Sequence, residues 1–191
     1  MIFAHFLTDV NEANMFLVAC AATRKALLID APCYDVRLSA FLEEQSLSLE
    51  ALFITHDHYD HVNGIAEIME RYAVSLYAGS REIGGVKAHK VQQDDVITFG
   101  AIEARVLELP GHTSNSLGLV MPGMVFTGDA LFAGSIGGVN HEKDRNLEID
   151  KIRKHVFTLP DDYQVHTGHS PSSTVYVEKT YNPFFVPNRW A

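Results

Sequence analysis

Four side chains able to ligate a metal, His56, His58, Asp60 and His61, fall inside the seven-residue run Thr55-His56-Asp57-His58-Tyr59-Asp60-His61. Imidazole and carboxylate donors suit zinc and other first-row divalent ions, and the run follows an apolar segment, Leu49 to Thr55, that reads as a strand. If the extended backbone continues, the i, i+2 spacing of His56, His58 and Asp60 puts those three side chains on one side of it. Two adjoining ions need about four or more ligands each, partly shared or supplied by water, so one such run cannot complete a site. The fold must therefore bring further ligands to it from elsewhere in the chain.

Three later turns offer them: Pro110-Gly111-His112-Thr113, Thr127-Gly128-Asp129 and Thr167-Gly168-His169. Each joins a ligand-type residue to glycine at the end of a predicted strand. Glycine there lets the backbone turn sharply and approach an ion, as a centre assembled from several loop tips requires.

The pattern between these points predicts the scaffold. Apolar runs at Ile2–Leu7, Asn14–Cys20 and Lys25–Asp30, separated by short polar turns, read as antiparallel strands. Val36, Leu38, Phe41 and Leu42 recur at helical intervals, and 64–72 reads as a second helix, leaving Asp60 and His61 in the loop that leads into it. Short strands follow at 74–78, 96–99, 101–109, 116–121 and 124–127, then a helix over 146–159, a strand at 163–166 and a helix over 174–181. Two strand-rich halves, each carrying helices, predict an α/β fold: a four-layer αββα sandwich in which two mixed sheets pack together with helices on their outer faces.

At 191 residues the chain suits one domain, 1–191. No apolar run approaches the ~20 residues that span a bilayer, and the apolar start, Met1 to Leu7, lacks the basic region of a signal peptide. A net charge of −9 with no cluster of Lys or Arg disfavours nucleic acid and anionic membranes as partners. Cys20 and Cys33 are too few for a disulfide framework and read as small buried hydrophobes of a cytoplasmic protein. No Gly-x-Ser-x-Gly elbow offers an alternative nucleophile.

With these motifs in hand, the chain resembles the metallo-β-lactamase superfamily, whose members carry His-x-His-x-Asp-His followed in order by a His, an Asp and a final His. Its similarity is to the glyoxalase II (hydroxyacylglutathione hydrolase) branch with its short single-domain relatives, through the 55–61 run, Pro110-Gly111-His112-Thr113, and the stretch from Phe126 to Gly137, FTGDALFAGSIG. The resemblance implies that His56, His58 and His112 bind one ion, that Asp60, His61 and His169 bind the other, and that Asp129 bridges them. It also implies two divalent ions, zinc first, with iron or manganese accepted by the same donors. Asp60 would orient the attacking hydroxide that two ions hold near neutral pH. The implied reaction is hydrolysis of a small-molecule thioester, whose thiolate leaving group needs little protonation, by a monomer or homodimer. Asp30 matches an acidic residue that supports the site in the family. A mononuclear iron sulfur (persulfide) dioxygenase, using the positions of His56, His112 and Asp129, and a lactonase are the alternative activities within the superfamily.

Where family members carry cationic or aromatic glutathione anchors after Gly-Ser-Ile-Gly, this chain has Gly137-Gly138-Val139-Asn140, leaving Lys143 or Arg145 as substitutes. Around the last ligand it has Gly168-His169-Ser170-Pro171 in place of Pro-Gly-His-Gly. Full-length glyoxalase II enzymes continue into a helical domain that helps hold glutathione, whereas the sequence stops at Ala191. The resemblance therefore implies the metal chemistry more firmly than glutathione as substrate.

Overall fold

The computed structural model describes residues 1–186; the last five positions of the domain expected over 1–191 lie outside the described residues. The chain begins with strands β1 (Ile2–Leu7), β2 (Asn14–Ala19) and β3 (Lys25–Ile29), then helix α1 (Val36–Glu44), strand β4 (Ser48–Phe53), helices α2 (Tyr59–Val62) and α3 (Ile65–Arg71), and strand β5 (Ser75–Ala78). A small hairpin of β6 (Glu82–Ile83) and β7 (Val86–Lys87) precedes β8 (His89–Lys90). The second half runs through β9 (Val96–Phe99), β10 (Ile102–Glu108), β11 (Leu117–Met121), β12 (Met124–Gly128) and the hairpin β13 (Leu131–Phe132) with β14 (Ser135–Ile136). Helix α4 (Glu142–His155), β15 (Gln164–Thr167), β16 (Ser173–Thr174) and α5 (Val175–Tyr181) close it.

Two six-stranded sheets result, in the orders β1-β2-β3-β4-β5-β8 and β16-β15-β12-β11-β10-β9. Both are mixed. The outer hairpins pair antiparallel, whereas β3, β4 and β5 run parallel because α1 and the α2–α3 segment carry the chain back between them.

Strand periodicity explains the layering. In β2, Phe16 and Val18 face the other sheet and pack with Phe99, Val106, Leu119 and Phe126, while Met15, Leu17 and Ala19 face outward under Leu38 and Leu42 of α1 and Ile65 and Ile68 of α3. Val120, Val125 and Val165 of the second sheet lie under Ile152 and Val156 of α4 and Val175 of α5. Strands covered on both faces read as unbroken apolar runs, which is why every residue of β2, β11 and β12 is buried. This is the expected αββα sandwich.

Two expectations need correction. Asp60 and His61 do not lie in a loop; they occupy the single-turn helix α2, so the extended backbone ends at His58 and Asp60 faces a different set of partners from His56 and His58. Helix α4 begins at Glu142, four residues before the predicted start, because its first turn is polar and exposed and carries no apolar period to reveal it. The acids Glu142 and Asp144 in that turn suit the positive end of the helix. Among the described residues, no helix is long and apolar enough to cross a membrane.

One polar ring sits in the inter-sheet layer. His166 of β15 stacks on Phe3 and Phe126 with ring centroids 4.8 and 5.0 Å away, lies tilted against Phe16 at 5.2 Å, and has its Nδ1 2.8 Å from Ser172 Oγ. Its Nε2 is buried without a hydrogen-bond partner among the described residues. Burial, with the nearby His5 adding to it, lowers the His166 pKa to about 4. An unfolded histidine takes up its proton near pH 6.5, so the stability from the neutral ring is complete above that value and is lost as pH falls through 4, to the extent of roughly 3 kcal/mol. Urea unfolding at pH 7.5 and 4.5 is expected to show a distinctly smaller acid loss for His166→Phe than for wild type. Equal losses would place the acid sensitivity elsewhere.

Candidate metal centre

All the side chains singled out by spacing gather at one edge of the sandwich, where β4, β10, β12 and β15 end. They form two groups, His56, His58, His112 and Asp129 in one and Asp60, His61 and His169 in the other, with ligand atoms within 4.8 Å of one another in each. In the first, His58 Nδ1 is 3.2 Å from His56 Nε2 and 3.0 Å from His112 Nε2. In the second, His61 Nε2 is 3.3 Å from His169 Nε2, and Asp60 Oδ2 is 3.4 Å from the same atom.

Asp129 reaches both. Its Oδ2 lies 3.8 Å from His56 Nε2 and 3.6 Å from the Nε2 atoms of His112 and His169, and its Oδ1 is 3.4 Å from His61 Nε2. The last approach is near enough for charge attraction yet makes no aligned hydrogen bond, so Oδ1 is buried without a hydrogen-bond partner among the described residues. An orphaned carboxylate oxygen facing imidazole nitrogens is costly unless a cation takes it up. The donor set, imidazoles and carboxylates with no thiolate, fits divalent first-row ions.

Each group is held from behind. Asp30, 2 % exposed, accepts from the Thr55 amide and hydroxyl at 2.8 Å each, and its Oδ2 lies 2.8 Å from His61 Nδ1, which turns Nε2 toward the centre. Burial opposes a charge on His61, but Asp30 and Asp129 outweigh it and push the ring up to about 10. Burial and the neighbouring His61 lower His56 to about 2. On Asp129, burial is outweighed by His61 and the other imidazoles, which hold the carboxyl down to about 2. His112 turns its Nδ1 to the Gly138 carbonyl at 2.9 Å. Gly168 has no room for a side chain, since a Cβ there would stand 2.0 Å from Asp129 Oδ1.

Three residues that spacing did not mark also serve the site. The Asn11 amide donates to Asp60 Oδ2 at 2.6 Å from a loop in which Asn11 and Glu12 both adopt left-handed backbone. Buried Asn14 donates to the Thr167 and Ser170 carbonyls at 2.9 Å, bracing the turn that carries His169. Glu148 of α4 accepts from the His112 amide at 3.1 Å, and burial raises its carboxyl to about 8. A polar residue in a strand start, a loop or a helix gives no periodic signal, so none of the three is visible before folding. Phe132 stands edge-on to His169 at 6.2 Å, while Tyr59 and the two substitute anchors, Lys143 and Arg145, are exposed. A cleft of about 340 Å³ beside His112 is lined by Thr113, Ser114, Asp144 and Leu147 with the Pro110-Gly111-His112 turn, and neither cation of α4's first turn enters it.

The family profile described as the metallo-beta-lactamase superfamily matches residues 8–174, which hold the seven side chains of both groups. The chain belongs to the metallo-β-lactamase superfamily. Among its relatives, a protein named hydroxyacylglutathione hydrolase from Gloeobacter violaceus is 31% identical over 172 residues, covering 86% of this chain and 66% of that protein. One of the same name from Bradyrhizobium sp. is 34% identical over 182 residues, covering 92% of this chain and 70% of that protein. The superfamily fold also superposes on the crystal structure of ETHE1 from Myxococcus xanthus with a TM-score of 0.84 and 28% identity, covering 96% of this chain and 84% of that one. The chain spans slightly less than two thirds of the length of the first of these relatives.

Proposed function

We propose that residues 1–191 act as one domain, a dinuclear metal-dependent hydrolase of the glyoxalase II type that cleaves a small-molecule thioester in the cytoplasm. The observation that carries this reading is the placing of Asp129 within 3.4 to 3.8 Å of imidazoles from both groups. Similarity to proteins named hydroxyacylglutathione hydrolase supports the thioester as substrate class. His56, His58 and His112 would hold one ion, Asp60, His61 and His169 the other, and Asp129 both. When bound, two divalent ions supply a water activated near neutral pH and a Lewis acid for the carbonyl oxygen.

The chain's own residues do the positioning. Asp60, fixed at Oδ2 by the Asn11 amide, would orient the attacking water. Buried His56 and His61 exclude bulk water from the inner wall, while His58 and the rim of the His112 turn stay open to substrate. A thiolate leaves with little need of a proton, so no dedicated acid is required.

Purified without added metal, the protein is expected to carry about two equivalents of divalent ion, the occupancy of a two-metal site. It should hydrolyse S-lactoylglutathione or another thioester of a mixed panel in preference to acyl-homoserine lactones. Chelation should abolish turnover and zinc should restore it. A single iron with rapid oxygen uptake on glutathione persulfide would replace this reading with that of a dioxygenase.

A further inference from the structure

Glu148 is the odd residue of α4. The helix buries Ile152 one turn further on against the second sheet, and an apolar side chain would suit position 148 equally, yet a glutamate stands there with no exposed surface. A buried carboxyl is costly unless it is used. One oxygen, Oε2, has no hydrogen-bond partner among the described residues, and the other accepts from the backbone amide of His112 at 3.1 Å.

The surroundings are shaped to let it in. A Cβ on Gly111 would lie 2.3 Å from Glu148 Cβ, and one on Gly137 would meet Glu148 Oε1 at 2.9 Å, His112 Cβ at 2.8 Å and the Asp129 carbonyl at 2.2 Å. The residue after Gly137, Gly138, supplies the carbonyl that fixes the His112 ring through Nδ1. The turn carrying His112, the turn that orients its ring and the backbone of Asp129 thus meet over one carboxyl group.

We propose that Glu148 is a positioning residue for His112: its Oε1 anchors the His112 backbone so that Nε2 is presented to the ion shared with His56 and His58. The inference rests on the reading of those three imidazoles as ligands. It assigns Glu148 an effect on one ion of the pair, whereas a residue that merely filled α4 would affect both or neither.

The test is zinc titration of the chelator-stripped protein against a chromophoric competitor, with thermal unfolding recorded alongside. His112→Ala marks which binding equivalent belongs to the first group. Glu148→Met, which keeps the length of the side chain and loses both oxygens, should weaken that equivalent by about 10- to 100-fold, the usual effect of removing an outer hydrogen-bond partner. The second equivalent should be unchanged. Glu148→Gln retains an acceptor for the amide and should bind like wild type. If Glu148→Met fails to fold, Glu148→Leu takes its place, and a Glu148→Gln protein that loses the first equivalent while staying folded overturns the proposal by itself. Unchanged affinity in the apolar variants, or equal loss at both equivalents, also overturns it. A wild-type protein that binds no metal rejects the ligand reading and this inference together; one that binds metal with indifference to Glu148 rejects this inference alone.

Discussion

Asp129→Ala is expected to lower kcat/KM on the best thioester by about 10²- to 10³-fold or more, the scale of removing one preorganised charge from a reacting centre. Metal content should drop below two per chain in the same protein. The reason is electrostatic. Imidazoles are neutral ligands, and only Asp60 and Asp129 bring negative charge to the two groups, so without Asp129 two cations a few ångströms apart would face each other with a single carboxylate between them and solvent. Asp129 also reaches both groups, within 3.4 to 3.8 Å of His56, His61, His112 and His169. Asp129→Asn keeps the shape and loses the charge, so it separates the two contributions and should fall nearly as far. Elemental analysis with steady-state kinetics decides the matter, and near-normal turnover with two bound ions in either variant would remove Asp129 from the bridging role.

How far the site could be read before folding depended on how each residue acts. His56, His58, Asp60, His61, His112, Asp129 and His169 were legible because ligand chemistry is a property of the side chain, and because glycine beside three of them marks the turn that delivers it. The layers were legible because β2, β11 and β12 are apolar on both faces, which requires cover on both. The division into two groups followed from the family resemblance and not from the spacing of the residues. It depends on the chain turning helical at Tyr59, which carries Asp60 and His61 away from the line of His56 and His58, and a single turn is too short to leave a period. Asn11, Asn14 and Glu148 were hidden for a related reason: they act through backbone or carboxylate contacts with residues 36 to 156 positions away, a relation that only tertiary structure creates.

Asp30 shows that a support can matter as much as a ligand, and Asp30→Ala should cost about 3–5 kcal/mol of folding stability, as the breaking of a buried pair does. Three donors depend on this one carboxylate, the Thr55 amide, the Thr55 hydroxyl and His61 Nδ1, each 2.8 Å away, and in the alanine variant the cavity offers them no replacement. Thr55 Oγ1 lies in turn 3.1 Å from His56 Nδ1, so the same carboxylate steadies an imidazole in each metal group. Zinc affinity should fall with stability, by about 10- to 100-fold. Asp30→Asn tells whether the two losses share a cause. Its amide oxygen can still accept from Thr55, which should return part of the stability. Its NH2 group, set against His61 Nδ1, would force that nitrogen to accept and move the ring proton to Nε2, the atom that must be free to bind a cation. Chemical unfolding and zinc competition on the two variants should therefore diverge, with stability partly recovered and affinity as low as in the alanine protein. If affinity recovers in step with stability, Asp30 acts on the fold alone and the tautomer of His61 is set by something else.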